Sequence, residues 1–366
     1  MHGRNDFVGI VVFLLIAASL FGGASTTVSA QAKPQVRPPK VDQAPQKNDP
    51  KAQETEVVRV ETDLVNVFFT AADKNRRFIT TLGQQDIRVI EDGVPQQIFT
   101  FQRETDRPLS IAILIDVSAS EELTLPSEKA AAREFVKTVL RPGKDEAAII
   151  SFTGEATVEQ GLTDNPERLQ KAIERVEIVF PRGYIGGGVV VPPIYNPDPR
   201  AGSTAIWDAI WVTSADLLSE TRDKTRRTII LLTDGADTSS RFKRNEAVER
   251  AMKAGVVIYS IGIGDTENFG VEKDSLRKLS ERTGGLAFFP KDETDLRAAF
   301  GQIEQELRSQ YLVAYAPTNK SRDGSYRKVE IELVNPELRK QKLLLNYRQG
   351  YFAQGMTPQS GETRNK

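Results

Sequence analysis

The sequence predicts a doubly wound α/β domain, a mostly parallel sheet with helices on both faces, inserted in a small β-sandwich. Three observations predict it. From about residue 108 to 309, apolar strand-like runs alternate with amphipathic helical ones. The strands there, such as "LSIAILID" and "RTIILLTD", are apolar without alternation, as strands covered on both faces must be. The flanking stretches instead alternate with period two and carry turn residues.

Taken in order, residues 1–30 read as an export signal. Phe7–Phe21 is an apolar run of 15 residues, short for a spanning helix, and "VSA" at 28–30 offers small residues for cleavage before Gln31. An uncleaved anchor is the alternative. No other segment is long and apolar enough to span a bilayer, so the processed chain is expected to be periplasmic or secreted, with no membrane span. Residues 31–56 hold five prolines, many charges and no aromatic residue, and so read as a disordered linker.

Residues 57–105 carry strand signals, with Asp92-Gly93 as a hairpin turn in "IRVIEDGVPQQIFTF". Residues 106–310 form the α/β stretch. Its helices include "PSEKAAAREFVKTVL", "PERLQKAIERV" capped by Asn165 before Pro166, and "AIWDAIWVTSADLLS". Residues 177–203, rich in Gly and Pro, have no helical period. In 311–353, "YLVAYAP", "YRKVEIEL" and "KLLLNYRQGYF" read as strands. Neither β block suffices alone, and together they are expected to form one sandwich of about six strands. Residues 354–366 resemble the linker in composition and read as a flexible tail.

The composition excludes several chemistries. The 366 residues suit two domains, and a net charge of −1 offers no basic field for nucleic acid. There is no Cys, and the only His is His2. That removes Ser-His-Asp and Cys-His catalysis, disulfides, and zinc sites built on Cys or His. A metal would need oxygen ligands, which points to Mg²⁺, Ca²⁺ or Mn²⁺.

Ligands of doubly wound sheets bind at the carboxyl ends of the strands. Asp116 ends "IAILID", Asp234 follows "TIILLT", and Ser118 and Ser120 follow Asp116 at alternate positions. Thr204 opens a helix in "GSTAIWDA". Taken alone, "DVSAS" is ordinary turn chemistry or the start of a ligand set. Two carboxylates and three hydroxyls on one rim would make a hard-cation site. Asp237 reads as a turn residue, Asp208 as a helix-face or hydrogen-bonding residue, and Trp207 and Trp211 as core.

"DVSAS", then "GST" before "AIWDAI", then "LLTDG", resembles the von Willebrand factor type A domain and its metal-ion-dependent adhesion site. The resemblance covers about 200 residues, and the flanking blocks, with the ending "RQGYF", resemble VWFA-related proteins of acidobacteria. It implies a Mg²⁺ site, with Mn²⁺ or Ca²⁺ as substitutes, at Asp116, Ser118, Ser120, Thr204 and Asp234. In that family the hydroxyls contact the ion directly and the aspartates act mostly through water. The ion then stays under-neutralised and takes an Asp or Glu of a protein partner. Tyr184, Ile185, Ile194 and Tyr195, in the long loop before Thr204, are expected to offer contact surface. The expected function is adhesion or complex assembly, not catalysis. The rivals are an envelope component with a purely stabilising ion, and a metal-assisted hydrolase using Asp116.

Overall fold

A computed structural model describes residues 64–180, 203–221, 224–264 and 271–353. The export signal, the linker, the tail and the loop residues Tyr184, Ile185, Ile194 and Tyr195 lie outside the described residues. Among the described residues, no helix is long and apolar enough to cross a membrane.

The chain opens with strands β1 (Val65–Ala72), β2 (Ile87–Glu91), β3 (Val94–Gln96) and β4 (Ile98–Glu104). Asp92 and Gly93 both have positive φ, 47° and 81°, the backbone that a two-residue hairpin between β2 and β3 requires. An alternating α/β stretch follows: β5 (Leu109–Asp116), α1 (Leu125–Val139), β6 (Glu146–Phe152), β7 (Ala156–Thr163), α2 (Pro166–Arg175) and α3 (Ile206–Val212). It continues with β8 (Arg226–Thr233), α4 (Arg244–Lys253), β9 (Val256–Gly262), α5 (Lys273–Thr283), β10 (Ala287–Phe288) and α6 (Glu293–Arg308). The chain then returns to strands β11 (Gln310–Tyr315) and β12 (Tyr326–Leu333), a short helix α7 (Pro336–Lys340), and strands β13 (Leu344–Tyr347) and β14 (Gly350–Phe352).

Six strands form one sheet in the order β10-β9-β8-β5-β6-β7, all parallel except β7 at the edge. All eight residues of β5 are buried. Ile111, Ile113 and Ile115 pack on one face with α1, α2 and α6, while Ala112 and Leu114 pack on the other with α3, α4 and α5. Covering on both faces is why these strands read as unbroken apolar runs. Asn165 caps α2 as expected, its Oδ1 accepting from the backbone of Glu167 at 2.9 Å and Arg168 at 3.2 Å. The run after Ala205 departs from expectation. It is α-helical only to Val212, and Thr213–Leu217 continue as a π-helical turn in which Leu218 N donates to Thr213 O. Over a single turn, apolar spacing does not separate the two helix types.

The remaining strands form two antiparallel sheets, β13-β1-β11-β4 and β14-β12-β2-β3. Each takes two strands from before the α/β stretch and two from after it, so neither chain end completes a sheet alone. Their shared core includes Val67, Phe69, Val89, Tyr311, Val313, Tyr315 and Val329. Phe69 stacks on Tyr311 with ring centres 5.0 Å apart. The fold is the α/β sheet inserted in a sandwich that the sequence indicates, with eight strands in the sandwich rather than about six. One difference comes from "KLLLNYRQGYF", which breaks into β13 and β14 in opposite sheets. Gly350 makes the second possible: a Cβ there would lie 2.3 Å from Arg327 O.

The two passages between sandwich and α/β sheet run side by side, since Gln310 pairs with Glu104. Asp145 fastens them. Its carboxylate accepts from Leu109 N at 2.9 Å, Arg141 Nε at 2.7 Å and an Arg308 guanidinium nitrogen at 2.7 Å. Burial alone would raise its pKa, but the Arg141 and Arg308 hydrogen bonds prevail and hold it at about 2. A folded pKa below the unfolded value gives stability that is present above about pH 4 and lost as pH falls through 2. Asp145→Asn should therefore cost about 3 kcal/mol in urea unfolding at pH 7, in the range for breaking a buried pair. The difference from the parent chain should shrink as the pH approaches 2.

Candidate metal centre

β5 and β8 are neighbours, and successive connections leave them in opposite directions along the sheet. Their carboxyl ends thus flank the crevice where doubly wound sheets bind ligands. Asp116 closes β5 and is fully buried. Its Oδ1 accepts from Ser118 N at 3.0 Å, and its Oδ2 accepts from the Thr233 hydroxyl, at the end of β8, at 2.6 Å. The first bond turns the loop and the second ties it to the next strand. Ser118 and Ser120 bring their hydroxyls 3.0 Å apart; Ser118 is buried and Ser120 exposed.

Asp234 follows β8 and is buried, with Oδ1 accepting from Ala236 N at 2.9 Å. Thr204 is held from two sides. Its N donates to the Thr238 hydroxyl at 2.8 Å, and its carbonyl accepts from Thr238 N at 2.8 Å. On the other side, Thr153, just past β6, accepts from Ala205 N and donates to Ser203 O. Asp237 caps α3, accepting from Ile206 N at 2.8 Å, and Asp208 accepts from Arg241 N and Phe242 N. Trp207 is core, and Trp211 stacks on Phe242 at 4.5 Å. The long loop leaves and returns at this rim: Val179 N donates to Val117 O, and Ser203 sits on Thr153.

The rim also holds two acids that the spacing argument did not single out. Carboxylate oxygens of Asp116, Glu121 and Asp234 all lie within 4.8 Å of one another, and all three residues are buried. Glu121 Oε2 accepts from the Thr124 hydroxyl, while Oε1 has no hydrogen-bond partner. Behind it, Glu128 is fully buried and neither of its oxygens has a hydrogen-bond partner. The sequence did carry a signal for Glu128. Leu125, Ala131, Ala132, Phe135, Val136 and Val139 form the buried stripe of α1, and Glu128 falls within that stripe. Glu121 carried only its place directly after "DVSAS".

Burial pushes the Asp116 carboxyl up to about 6; the charge of Asp234 adds to this, and the Thr233 and Ser118 hydrogen bonds oppose it. Glu121 and Glu128 are raised too, first by burial and then by the neighbouring acids. Buried carboxylates without a cation must take up protons or bind one. The donors are all oxygen, which matches a hard divalent ion, and buried oxygens of Glu121 and Glu128 are left without a hydrogen-bond partner. The residues present therefore fit such an ion: the carboxylates of Asp116, Glu121 and Asp234 stand together, the hydroxyls of Ser118 and Ser120 follow Asp116, and Thr204 is placed against Thr238.

Residues 111–236 and residues 194–302 match two family models, each described as a von Willebrand factor type A domain. An uncharacterized protein of Borreliella burgdorferi is 23% identical over 233 residues, covering 57% of this chain and 62% of that one. The chain thus spans about three fifths of the length of the curated relative it matches. Among solved structures, proximal thread matrix protein 1 from the mussel byssus is 20% identical with a TM-score of 0.45, covering 60% of this chain and 51% of its own. Another structure of that protein has its MIDAS motif occupied by zinc. A von Willebrand factor type A protein from Catenulispora acidiphila is 14% identical with a TM-score of 0.45, covering 80% of this chain and 73% of that one.

The raised carboxyl at Asp116 gives a measurable pH signature in chelator. Protons are bound more tightly by the folded chain than by the unfolded one, so folding stability should fall as pH rises from about 4 through 6. Asp116→Asn should flatten that part of the profile, read by thermal unfolding across a pH series.

Proposed function

We propose that the von Willebrand factor type A domain carried by this chain is a cation-dependent protein-binding module. One observation carries the reading. Two buried carboxylates from neighbouring strand ends, Asp116 and Asp234, converge beside the paired hydroxyls of Ser118 and Ser120, and Ser120 faces solvent. A cation held there would be gripped from below by protein and open on the solvent side.

In this reading Asp116, Ser118, Ser120, Thr204 and Asp234 form a metal-ion-dependent adhesion site for Mg²⁺, with Mn²⁺ or Ca²⁺ as substitutes. Hydroxyls are neutral donors, so they leave the ion drawing on an outside hard anionic oxygen. An exposed Asp or Glu of a protein partner supplies one. Tyr184, Ile185, Ile194 and Tyr195 are proposed as contact surface around it, because both ends of their loop are fastened at this rim. The leader at residues 1–30 supports export, to the periplasm or beyond. The domain boundaries read from the sequence, 57–105 with 311–353 for the sandwich and 106–310 for the insert, are part of the same proposal.

Catalysis is the weaker reading. The only His is His2, and Glu121, the further acid grouped with Asp116, is wholly buried and so badly placed to activate water for a substrate. An ion serving stability alone would also use Asp116 and Asp234, but it gives no reason for an exposed Ser120.

Calorimetry on the full chain with MnCl₂ or MgCl₂ should show one bound ion, and Asp116→Ala should abolish it while the far-UV circular dichroism stays native. Capture of a partner from envelope extract should be lost in excess chelator. Thr204→Ala should weaken partner capture more than ion binding. Capture at full strength in chelator would refute the adhesion mechanism.

A further inference from the structure

We infer that Glu121 is a third carboxylate ligand of the metal centre, backed by Glu128, and that it turns the site's preference from Mg²⁺ toward Ca²⁺. The inference rests on the proposed cation site at the rim and adds a residue and a selectivity to it.

The geometry comes from a short turn. Ala119–Glu121 form a 3-10 turn in which Glu121 N donates to Ser118 O at 3.1 Å, folding the chain back beside Asp116. The side chain is fully buried, yet only one of its oxygens is used by protein, for the Thr124 hydroxyl. Its carboxylate lies with those of Asp116 and Asp234 inside 4.8 Å. Two oxygens on one ion are at most about twice the metal–oxygen distance apart, about 4.2 Å for Mg²⁺ and about 5 Å for Ca²⁺. The three oxygens therefore fall within the reach of one ion.

Glu128 stands behind this group, with both oxygens buried and without a hydrogen-bond partner. Its charge adds to the pull on a cation without needing to touch it. Mg²⁺ tends to keep several waters and to use one or two carboxylates, whereas Ca²⁺ accepts six to eight oxygens with several carboxylates among them. A pocket with three carboxylates on its buried side suits the second habit. The same charge partly neutralises the ion, so Glu121 also moderates its pull on a partner's acid.

The test is titration of the full chain with CaCl₂, MnCl₂ and MgCl₂ by calorimetry, together with thermal unfolding in chelator. Glu121→Gln should lower Ca²⁺ affinity by at least about tenfold and change Mg²⁺ affinity much less, and Glu128→Gln should lower Ca²⁺ affinity by about tenfold, as loss of supporting groups does. In chelator both variants should melt higher than the parent, because each removes a buried acid that without a cation must either stay charged or bind a proton. Calcium affinity within twofold of the parent in both variants would overturn the inference. So would variants that melt lower in chelator, the mark of a merely structural carboxyl. If Asp116→Ala abolishes binding while Glu121→Gln leaves it intact, Glu121 alone is misassigned. If the parent binds no ion, or Asp116→Ala binds as the parent does, the metal centre fails as well. Should Glu121→Gln not fold, Glu128→Gln decides the question by the same two readouts.

Discussion

The complete burial of β5 is the constraint from which the rest of this structure follows. A strand covered on both faces needs helices on both sides and parallel neighbours joined by crossovers. It thereby places its carboxyl end at the reversal of strand order, between β6 and β8. The polar residues at that end have little room to meet solvent, so Asp116 is answered by Thr233 and by the backbone of its own loop. The same packing that makes the centre of the sheet rigid makes its rim short of counter-charge.

That shortage is the energetic character of the rim. Asp116, Glu121, Glu128 and Asp234 are all buried, and among the described residues none of them joins a salt bridge. The contrast lies within the same molecule. Asp145, equally enclosed, is met by Arg141 and Arg308, and its carboxyl is held low. Glu91 in the sandwich is met by Arg327, Tyr315 and Tyr351. Asp145 and Glu91 are thus given cationic partners, while the rim acids are met only by hydroxyls and backbone N–H groups. Local frustration of this sort is what a binding site costs a fold, and it is offset when a ligand supplies the missing charge.

Much of this was legible in the sequence because the relevant signals were local. Unbroken apolar runs gave the covered strands, Asn165-Pro166 a capped helix start, and Asp92-Gly93 a hairpin. "DVSAS" and "LLTDG" could be placed on one rim because strand ends share an edge whatever the loops do. What stayed hidden depended on tertiary placement. "KLLLNYRQGYF" reads as one strand, and only the approach of Gly350 to Arg327 shows why it changes sheets. Glu121 lies in a turn whose direction no pattern states, whereas Glu128 falls within the apolar stripe of α1. Hydroxyl and carboxylate spacing reveals candidate ligands that come in a row, and misses acids that a turn folds back.

The register between β1 and β11 has a mechanical consequence. β11 enters the sandwich at Gln310, straight from the α/β domain, and β1 pairs with it so that Val65 lies opposite Tyr315 and Phe69 opposite Tyr311. The chain toward the N-terminus therefore leaves β1 at the end far from the point where β11 leaves for the rim. A pull between a partner at the rim and an anchor on the N-terminal side would load these two strands in opposite directions along their length. Their hydrogen bonds would then share the force at once, in shear, instead of opening one after another. Tension is also divided at the domain passage, where Glu104 and Gln310 sit side by side and are drawn the same way. Under such a pull the insertion would share the load between two passages and a pair of strands held in shear.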